Sequence, residues 1–271
     1  MVVRYGALRK QKKNETCHLS FLKHILRVKK STTNCFVYQE CNRCPLYFAR
    51  VFRIIGYWLK LLTLNDNDPL KILYYTTIEL NENDSFEKSN FWAINVRNIM
   101  YTNGFGYIWE NQNLGANKEF FNIFKTRLLD SFWQSNNAEI DSLSVQRLYR
   151  HLSSESNNYL LSLPNNYIRI SLTRLRLRSH HLNAERGRWN KIDYADRKCN
   201  LCNDIEDEFH FVVCCPKYID LRKKYLPKQL YLNPSMHKFI LFLNSNDILQ
   251  MKKLGIFLHH ALKKYGSEEI L

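Results

Sequence analysis

Leu46-Tyr-Phe48-Ala-Arg-Val51-Phe52-Arg-Ile-Ile55-Gly-Tyr-Trp58-Leu59-Lys60-Leu-Leu62-Thr-Leu64 places Phe48, Val51, Phe52, Ile55, Trp58, Leu59 and Leu62 three and four residues apart. That spacing draws one apolar stripe along a helix, because side chains recur on the same face every 3.6 residues. Asn65-Asp-Asn-Asp68-Pro69 then ends the pattern with residues that favour turns and helix starts. Further helical periodicity runs over about 69–81, 90–102, 116–135, 142–152, 165–182 and 247–264. Breaks such as Asn83-Asp84-Ser85 and Ser153-Ser154-Glu155-Ser156-Asn157 separate these runs, and no segment alternates with the period of two that a half-buried strand needs. The sequence predicts a mainly α protein with a small metal module near its C-terminal end. The expected layout is a basic N-terminal arm (1–45), a helical body (46–190), a zinc module (191–226) and a C-terminal helical cap (227–271).

The chain has 271 residues, 45% of them hydrophobic, with 16 Tyr and 16 Phe, so it can bury a sizeable core without disulfides. Its best apolar run, Ile54 to Leu64, is interrupted by Lys60 and falls short of the roughly 18–20 residues of a membrane span. The start, Met1-Val-Val-Arg-Tyr-Gly, lacks the positive-then-apolar order of a secretory signal, and eight Cys in a chain of this length do not make a disulfide framework. The expected setting is therefore reducing and intracellular, nuclear or cytoplasmic, with no membrane partner and no small-molecule substrate.

Charge points to the partner. The formal net charge of +15 is unevenly spread: residues 1–60 hold 13 basic and 2 acidic residues, and residues 166–198 hold 9 and 3. Residues 61–165 are net −4. Segregated positive charge favours a binding face for a polyanion, RNA or DNA, over simple solubilisation.

The segment Arg197-Lys198-Cys199-Asn-Leu-Cys202-Asn-Asp-Ile-Glu206-Asp207-Glu208-Phe209-His210-Phe211-Val-Val-Cys214-Cys215-Pro216 carries the pattern C-x2-C-x7-H-x4-C. Two Cys separated by two residues can turn both sulfurs onto one ion, and a following His and Cys complete a tetrahedral Cys3His set suited to a structural zinc. Either Cys214 or Cys215 can reach the ion by spacing. Cys215 is favoured because Pro216 suits the first position of a helix, whose dipole would stabilise a thiolate just before it. The expected ligands are Cys199, Cys202, His210 and Cys215, with Phe209 and Phe211 packing beneath the loop. Cys41-Asn-Arg-Cys44, with Cys35 and His18 or His24 nearby, offers a weaker second possibility for a metal. Cys17 reads as a small apolar residue.

Residues 167–191 form the basic stretch ahead of the metal module. Arg174, Arg176 and Arg178, then Arg186, Arg188, Trp189 and Lys191, followed by Arg197 and Lys198, are the expected nucleic-acid-binding residues. Guanidinium forks match phosphate and an indole can stack on a base. On one continuous helix, Arg174 and Arg178 would share a face, opposite Ile168, Leu172, Leu175 and Leu182. The competing expectation is that some of these Arg pair with acids of the fold instead.

The run Arg174-x-Arg176, His180-x-Leu182, Glu185-x-Gly187-Arg188, Arg197-x-Cys199-x-x-Cys202, Glu206-Asp207-Glu208-Phe209-His210-Phe211, Cys215-Pro216-x-Tyr218 and Leu221-Arg222 resembles the carboxy-terminal region of non-long-terminal-repeat retrotransposon polyproteins, downstream of the reverse transcriptase. The likeness extends upstream through His18-Leu-Ser-Phe-Leu-Lys23, Leu26-x-Val28-Lys29, Ser31-Thr-Thr-Asn34, Tyr57-Trp-Leu-Lys60 and Gly104-Phe-Gly106 to Trp109, and so covers nearly the whole chain. It implies a linker with a CCHC zinc knuckle that holds template RNA or target DNA beside the polymerase, with an element-encoded reverse transcriptase as a further partner. Where the pattern has a Gly between Glu40 and Arg43, this chain has Cys41-Asn42, which makes that Cys pair look incidental.

Catalytic machinery of that kind is not legible in the chain. A two-metal polymerase site needs paired Asp in a hairpin turn, and Tyr194-Ala-Asp196-Arg197 supplies one Asp followed by Arg. No carboxylate-lysine cluster of an endonuclease follows the knuckle, and Gly104-Phe-Gly106 is too short for a phosphate loop. The sequence thus predicts a non-enzymatic binding protein. Three other readings remain open: a helical scaffold that docks on a polymerase or another protein through an apolar patch within 46–135, a non-functional remnant of such an element, and a nuclease built on His180, His181 and Glu185.

Overall fold

Helices account for almost all the regular structure in the computed structural model, which describes residues 3–82, 92–112, 118–143, 148–152, 159–163 and 165–268. The breaks expected at Asn83-Asp84-Ser85 and at 153–157 lie outside the described residues, as does part of the 142–152 run. The first half of the chain holds α1 (Val3–Leu26), α2 (Asn34–Cys41), α3 (Leu46–Leu62), α4 (Pro69–Glu82), α5 (Trp92–Thr102), α6 (Gly106–Glu110) and α7 (Lys118–Ser142). The second half holds α8 (Tyr159–Ser162), α9 (Asn166–Arg176), α10 (Asn183–Trp189), α11 (Ile219–Tyr225), α12 (Lys228–Tyr231), α13 (Met236–Leu243) and α14 (Ile248–Glu268). Strand pairing among the described residues is confined to an isolated antiparallel bridge between Lys198 and Ile205. The protein is mainly α, and no helix of the described residues is long and apolar enough to cross a membrane.

Contacts group the chain into two units, one of residues 1–18 and 44–136, the other of residues 19–43 and 137–271. In the first unit the stripe on α3 is the organising surface. Val51, Ile55, Trp58, Leu59 and Leu62 are buried with Ala93, Val96 and Met100 of α5 and Phe120, Phe124 and Leu128 of α7, while Phe48 and Phe52 pack at the edge. Trp58 stacks on Trp109 at 5.7 Å between ring centroids, and its indole N–H donates to the Tyr74 hydroxyl at 2.8 Å. The ring therefore buries its large apolar area without orphaning its one polar atom. Asp68 ends the linker by accepting from the Leu70 N–H at 2.9 Å with Pro69 behind it, the expected start signal of α4.

Charge alone marks residues 1–45 as an arm, yet most of it is helix. Leu22 and Leu26, one turn apart on α1, are buried, and α2 buries Phe36, Val37 and Tyr38. The second unit closes around α9 and α14. Met251, Leu254, Phe257, Leu258 and Ala261 line the inner face of α14, whose start is capped by Asp247 accepting from the Leu249 N–H at 2.8 Å. Gly255 permits the close approach, since a Cβ there would stand 2.3 Å from Ile168 Cγ2.

The expected single helix over 165–182 is broken. Helix α9 starts under the side chain of Asn165, which accepts from the Tyr167 and Ile168 N–H groups, and stops at Arg176. Arg178 turns the chain in the left-handed region at φ 51°, its main chain closed by Ser179 N–H donating to Arg174 O at 2.8 Å. Arg174 and Arg178 therefore do not share a helical face.

A buried polar cluster joins α2 to the 3-10 turn at Tyr149, to α8 and to α9 in the second unit. Glu40, carried on α2, receives the Arg176 guanidinium (Nε to Oε1 2.7 Å) and the hydroxyls of Tyr149 (2.9 Å) and Tyr159. Arg176 also donates to Leu243 O at 3.2 Å and lies over the Tyr159 ring. Burial, reinforced by the Glu40 charge, pushes both phenols well above their ordinary range, so they act as fixed donors. Removing one partner of such a buried pair costs about 3–5 kcal/mol, because the remaining charge keeps its desolvation cost without its counter-ion. Glu40→Gln should lower stability by about that amount in urea titrations, and Glu40→Gln combined with Arg176→Met should recover part of the loss. A double variant no more stable than the single one would show that the pair is not the source of the cost.

Candidate metal centre

Short main-chain bonds fold the knuckle loop before any metal is considered. Cys199 N–H donates to Asp204 O at 2.7 Å, Asn203 N–H to Cys199 O at 3.0 Å, and Glu206 N–H to Arg197 O at 2.9 Å. Asn203 takes a left-handed φ of 60°, the conformation Asn tolerates better than most residues, and the turn tightens so that Cys199 and Cys202 face the same point. The bridge between Lys198 and Ile205 ties the base of the loop.

The return strand of ligands depends on an unusual helical turn. Asp207 accepts from His210 N–H at 2.8 Å through its side chain and from Phe211 N–H at 3.0 Å through its carbonyl, which starts a π-helical segment over His210–Cys214. Cys215 N–H closes it on His210 O at 2.8 Å, a bond spanning five residues. In an α-helix, residues five apart stand about 140° apart around the axis. The wider π turn reduces that angle, and Cys215, which leaves the helix at φ −55° and ψ 120°, joins the group while Cys214 does not. Pro216 then opens a 3-10 turn (Pro216–Tyr218) that runs into α11.

Ligand atoms of Cys199, Cys202, His210 and Cys215 all lie within 4.8 Å of one another, and this is the one such grouping among the described residues. The sulfurs of Cys199 and Cys215 are 3.9 Å apart, those of Cys202 and Cys215 4.0 Å, and Cys202 Sγ stands 3.3 Å from His210 Nε2. A tetrahedron with metal–sulfur bonds of about 2.3 Å and a metal–nitrogen bond of about 2.0 Å has edges of roughly 3.8 and 3.5 Å. The four residues therefore fit one metal ion. The opposite ring nitrogen, His210 Nδ1, is 3.9 Å from the exposed Asp204 carboxylate, which favours this orientation of the imidazole electrostatically.

Burial raises the Cys202 thiol to about 12, with Cys199 and Cys215 adding to the effect, and burial likewise raises Cys215 and lowers His210. Cys202 and Cys215 thus resist ionising in the crowded site, and a bound cation is what would remove that resistance. Arg222 of α11 brings a positive charge to Cys215, Cys214 and Cys202. It is buried, and its guanidinium donates to Val212 O at 3.3 Å, Cys214 O at 3.4 Å and Cys215 O. It thus pins the chain behind the π turn and sets a positive charge beside the thiolates. Phe211 packs beneath against Tyr218 and Phe257, and Phe209 against Phe239.

The Cys41 and Cys44 pair belongs to no such grouping. Desolvation raises Cys41 to about 12, with Glu40 adding to the rise, and raises Cys35 to about 12.

Of the basic residues expected to meet nucleic acid, Arg176 and Arg178 do not reach the surface. Arg176 is 1% exposed and committed to Glu40. Arg178 is buried with its Nε 2.9 Å from Glu208, which also accepts from His180 Nε2 at 2.8 Å. Burial alone would raise the Glu208 carboxyl, but Arg178 and His180 outweigh it and hold it at about 2. Both corrections have one physical reason: each Arg found a buried carboxylate, Arg176 from the last position of α9 and Arg178 from the left-handed turn after it. Arg188 pairs with Glu185 and lies over the Trp189 ring, whose indole N–H donates to the same carboxylate at 3.0 Å. Arg197 forks onto Ile192 O and Ala184 O, passing over Gly187 so closely that a Cβ there would stand 2.6 Å from it. Arg174 is exposed and donates to Arg27 O at 2.9 Å. Arg186, Trp189, Lys191 and Lys198 are exposed. His180 and Glu185 both belong to the buried cluster around Arg178, His180 through Glu208 and Glu185 with an oxygen 3.9 Å from Arg178 Nε.

Asp207 and Arg222 position the ligands without being ligands. The signal for Asp207 was present as a capping residue three positions before His210. No family model, no curated protein and no solved structure matches the chain.

Cys199→Ser and His210→Ala should each abolish stoichiometric metal in the purified full chain, measured by elemental analysis, whereas Cys214→Ser should retain it. Arg222→Met should weaken metal retention against a competing chelator by about tenfold to a hundredfold. Metal loss in Cys214→Ser equal to that in Cys199→Ser would overturn the ligand assignment.

Proposed function

We propose that the metal is zinc, that it is structural, and that the chain is a nucleic-acid-binding region of a retrotransposon reverse transcriptase polyprotein without polymerase or endonuclease chemistry of its own. The observation that carries this reading is the convergence of three thiols and one imidazole in a basic setting. Thiolate with imidazole at tetrahedral spacing favours zinc over the harder, oxygen-seeking ions, and four protein ligands leave no open position for a substrate. A closed site of this kind stabilises a loop rather than a transition state.

Nucleic acid is the partner that the charge favours. The formal charge of +15 is concentrated in 1–60 and 166–198, and Arg174, Arg186, Trp189, Lys191 and Lys198 keep exposed positions around the knuckle. The resemblance of Arg174 through Arg222 to the post-polymerase region of non-long-terminal-repeat elements supports the same partner and adds the element-encoded reverse transcriptase. Template RNA and target DNA are the two forms in which such a region would meet it.

One observation favours the scaffold reading for the first unit. Helix α4 leaves Leu70, Ile72, Leu73 and Leu80 exposed, an apolar density that a surface helix seldom carries without a partner. Docking there is compatible with nucleic-acid binding by the second unit.

The test is a salt series on the zinc-loaded full chain with fluorescent RNA and DNA oligonucleotides, single-stranded and duplex. Binding should be micromolar or tighter at 50 mM salt and fall steeply, with a log–log slope of about −0.7 to −0.9 per phosphate contact. Absence of binding to every probe at 50 mM salt contradicts the proposal. Removal of zinc with a chelator should weaken binding together with the loss of folded signal from the knuckle.

A further inference from the structure

Next to the metal centre lies an open cleft of about 630 Å3 whose charge does not come from the basic stretch 167–191 alone. Arg186 of α10, Lys217 of the 3-10 turn after Cys215, and Lys264 of α14 line it together, three cations from segments 31 and 47 residues apart in sequence. Lys264 Nζ donates to Lys217 O at 3.4 Å, and Lys217 Nζ lies 5.5 Å from the Tyr265 ring centroid, so these two lysines and Tyr265 form one wall. Glu206 lies in the floor, where it accepts from the Tyr265 hydroxyl at 2.9 Å and from Asn183 N–H at 2.9 Å. Its carboxylate ties Tyr265 to the start of α10 and places one negative charge in a lining that holds three positive side chains.

The knuckle loop lines the same cleft. Cys199, Asn200 and Leu201 line the cleft, and Leu201 is 62% exposed although it is a large apolar side chain one residue from a metal ligand. The C-x2-C turn leaves Leu201 no core to enter, because both flanking sulfurs face the ion. Three cations, and with them in the lining an apolar side chain and the amide of Asn200, offer places for a phosphate and for the face of a base. A duplex buries its base faces in stacking, so that pairing of contacts suits an unpaired strand.

We propose that this cleft is where a single strand of RNA or DNA crosses the protein, its phosphates against Arg186, Lys217 and Lys264 and one base against Leu201. The proposal rests on the nucleic-acid reading above and sharpens it to strand form and residues. Lys217 and Lys264 lie outside the stretch that sequence charge singles out.

The test uses zinc-loaded full chain and a 15-nucleotide mixed-sequence single strand, as RNA and as DNA, with the matching duplex. Arg186→Gln/Lys217→Gln/Lys264→Gln is compared with a control of equal charge change on α11 and α12, Lys223→Gln/Lys224→Gln/Lys228→Gln. Three lost phosphate contacts should reduce the salt slope for single strands by about 2 and the affinity on the order of tenfold to a hundredfold at 0.1 M salt. The control should change affinity about twofold at most. Leu201→Ser should weaken single-strand binding while sparing the duplex. If the cleft triple disturbs zinc content, Arg186→Glu and Lys264→Glu, both at exposed residues, carry the comparison singly. Equal losses in the cleft and control variants, or no loss in the cleft triple, overturn the cleft while leaving nucleic-acid binding in place. Failure of the unaltered chain to bind any strand overturns the functional reading and this one with it.

Discussion

Four ligand atoms held within 4.8 Å make a demand that the surrounding chain has to meet without help from hydrophobic burial alone. Three thiols at that separation repel one another once ionised, so the loop is stable with its sulfurs inward only if something positive answers them. The protein's own answer is Arg222, buried behind the π turn and bonded to the carbonyls that precede Pro216. A metal ion held by the four residues would supply the rest. Ligand convergence in turn requires the π turn, the left-handed Asn203 and the Asp207 cap, so three local irregularities of the backbone trace back to a single electrostatic need.

The same logic governs the second unit away from the metal. Glu40 with Arg176, and Glu208 with Arg178 and His180, place charges where a small α-helical core would ordinarily carry aliphatic side chains. Such pairs add little net stability when compared with apolar packing, but they penalise any arrangement that leaves one member alone. Tyr149 and Tyr159 close the remaining valences of Glu40, which makes the contact between α2 and the 149–176 segment specific rather than merely adhesive. The knuckle is therefore mounted on a frame whose register is set by charge pairing and whose bulk is set by α9 and α14.

How much of this was legible in the sequence depends on the kind of signal. The α3 stripe was legible because apolar periodicity is a local property, and Val51, Ile55, Trp58, Leu59 and Leu62 are the residues found buried. The ligand set was legible because spacing and residue type together restrict it, and Pro216 favoured Cys215 over Cys214, the one of the two that joins the group. The end of α9 was not legible. No Gly or Pro marks Leu177 or Arg178, and the left-handed turn is imposed by a carboxylate thirty residues downstream at Glu208. For the same reason positive charge in 174–178 overstated the exposed basic surface, since a buried Arg and an exposed one look alike in sequence. Lys217 and Lys264 show the converse, two unremarked lysines that the fold places beside the knuckle.

X-ray absorption at the metal edge of the purified full chain tests the central claim most directly. The account predicts a zinc edge with three sulfur neighbours at about 2.3 Å and one nitrogen neighbour at about 2.0 Å, at one ion per chain. A first shell of oxygen or of mixed light atoms, or a chain that folds with these cysteines oxidised to each other and no metal bound, would contradict it.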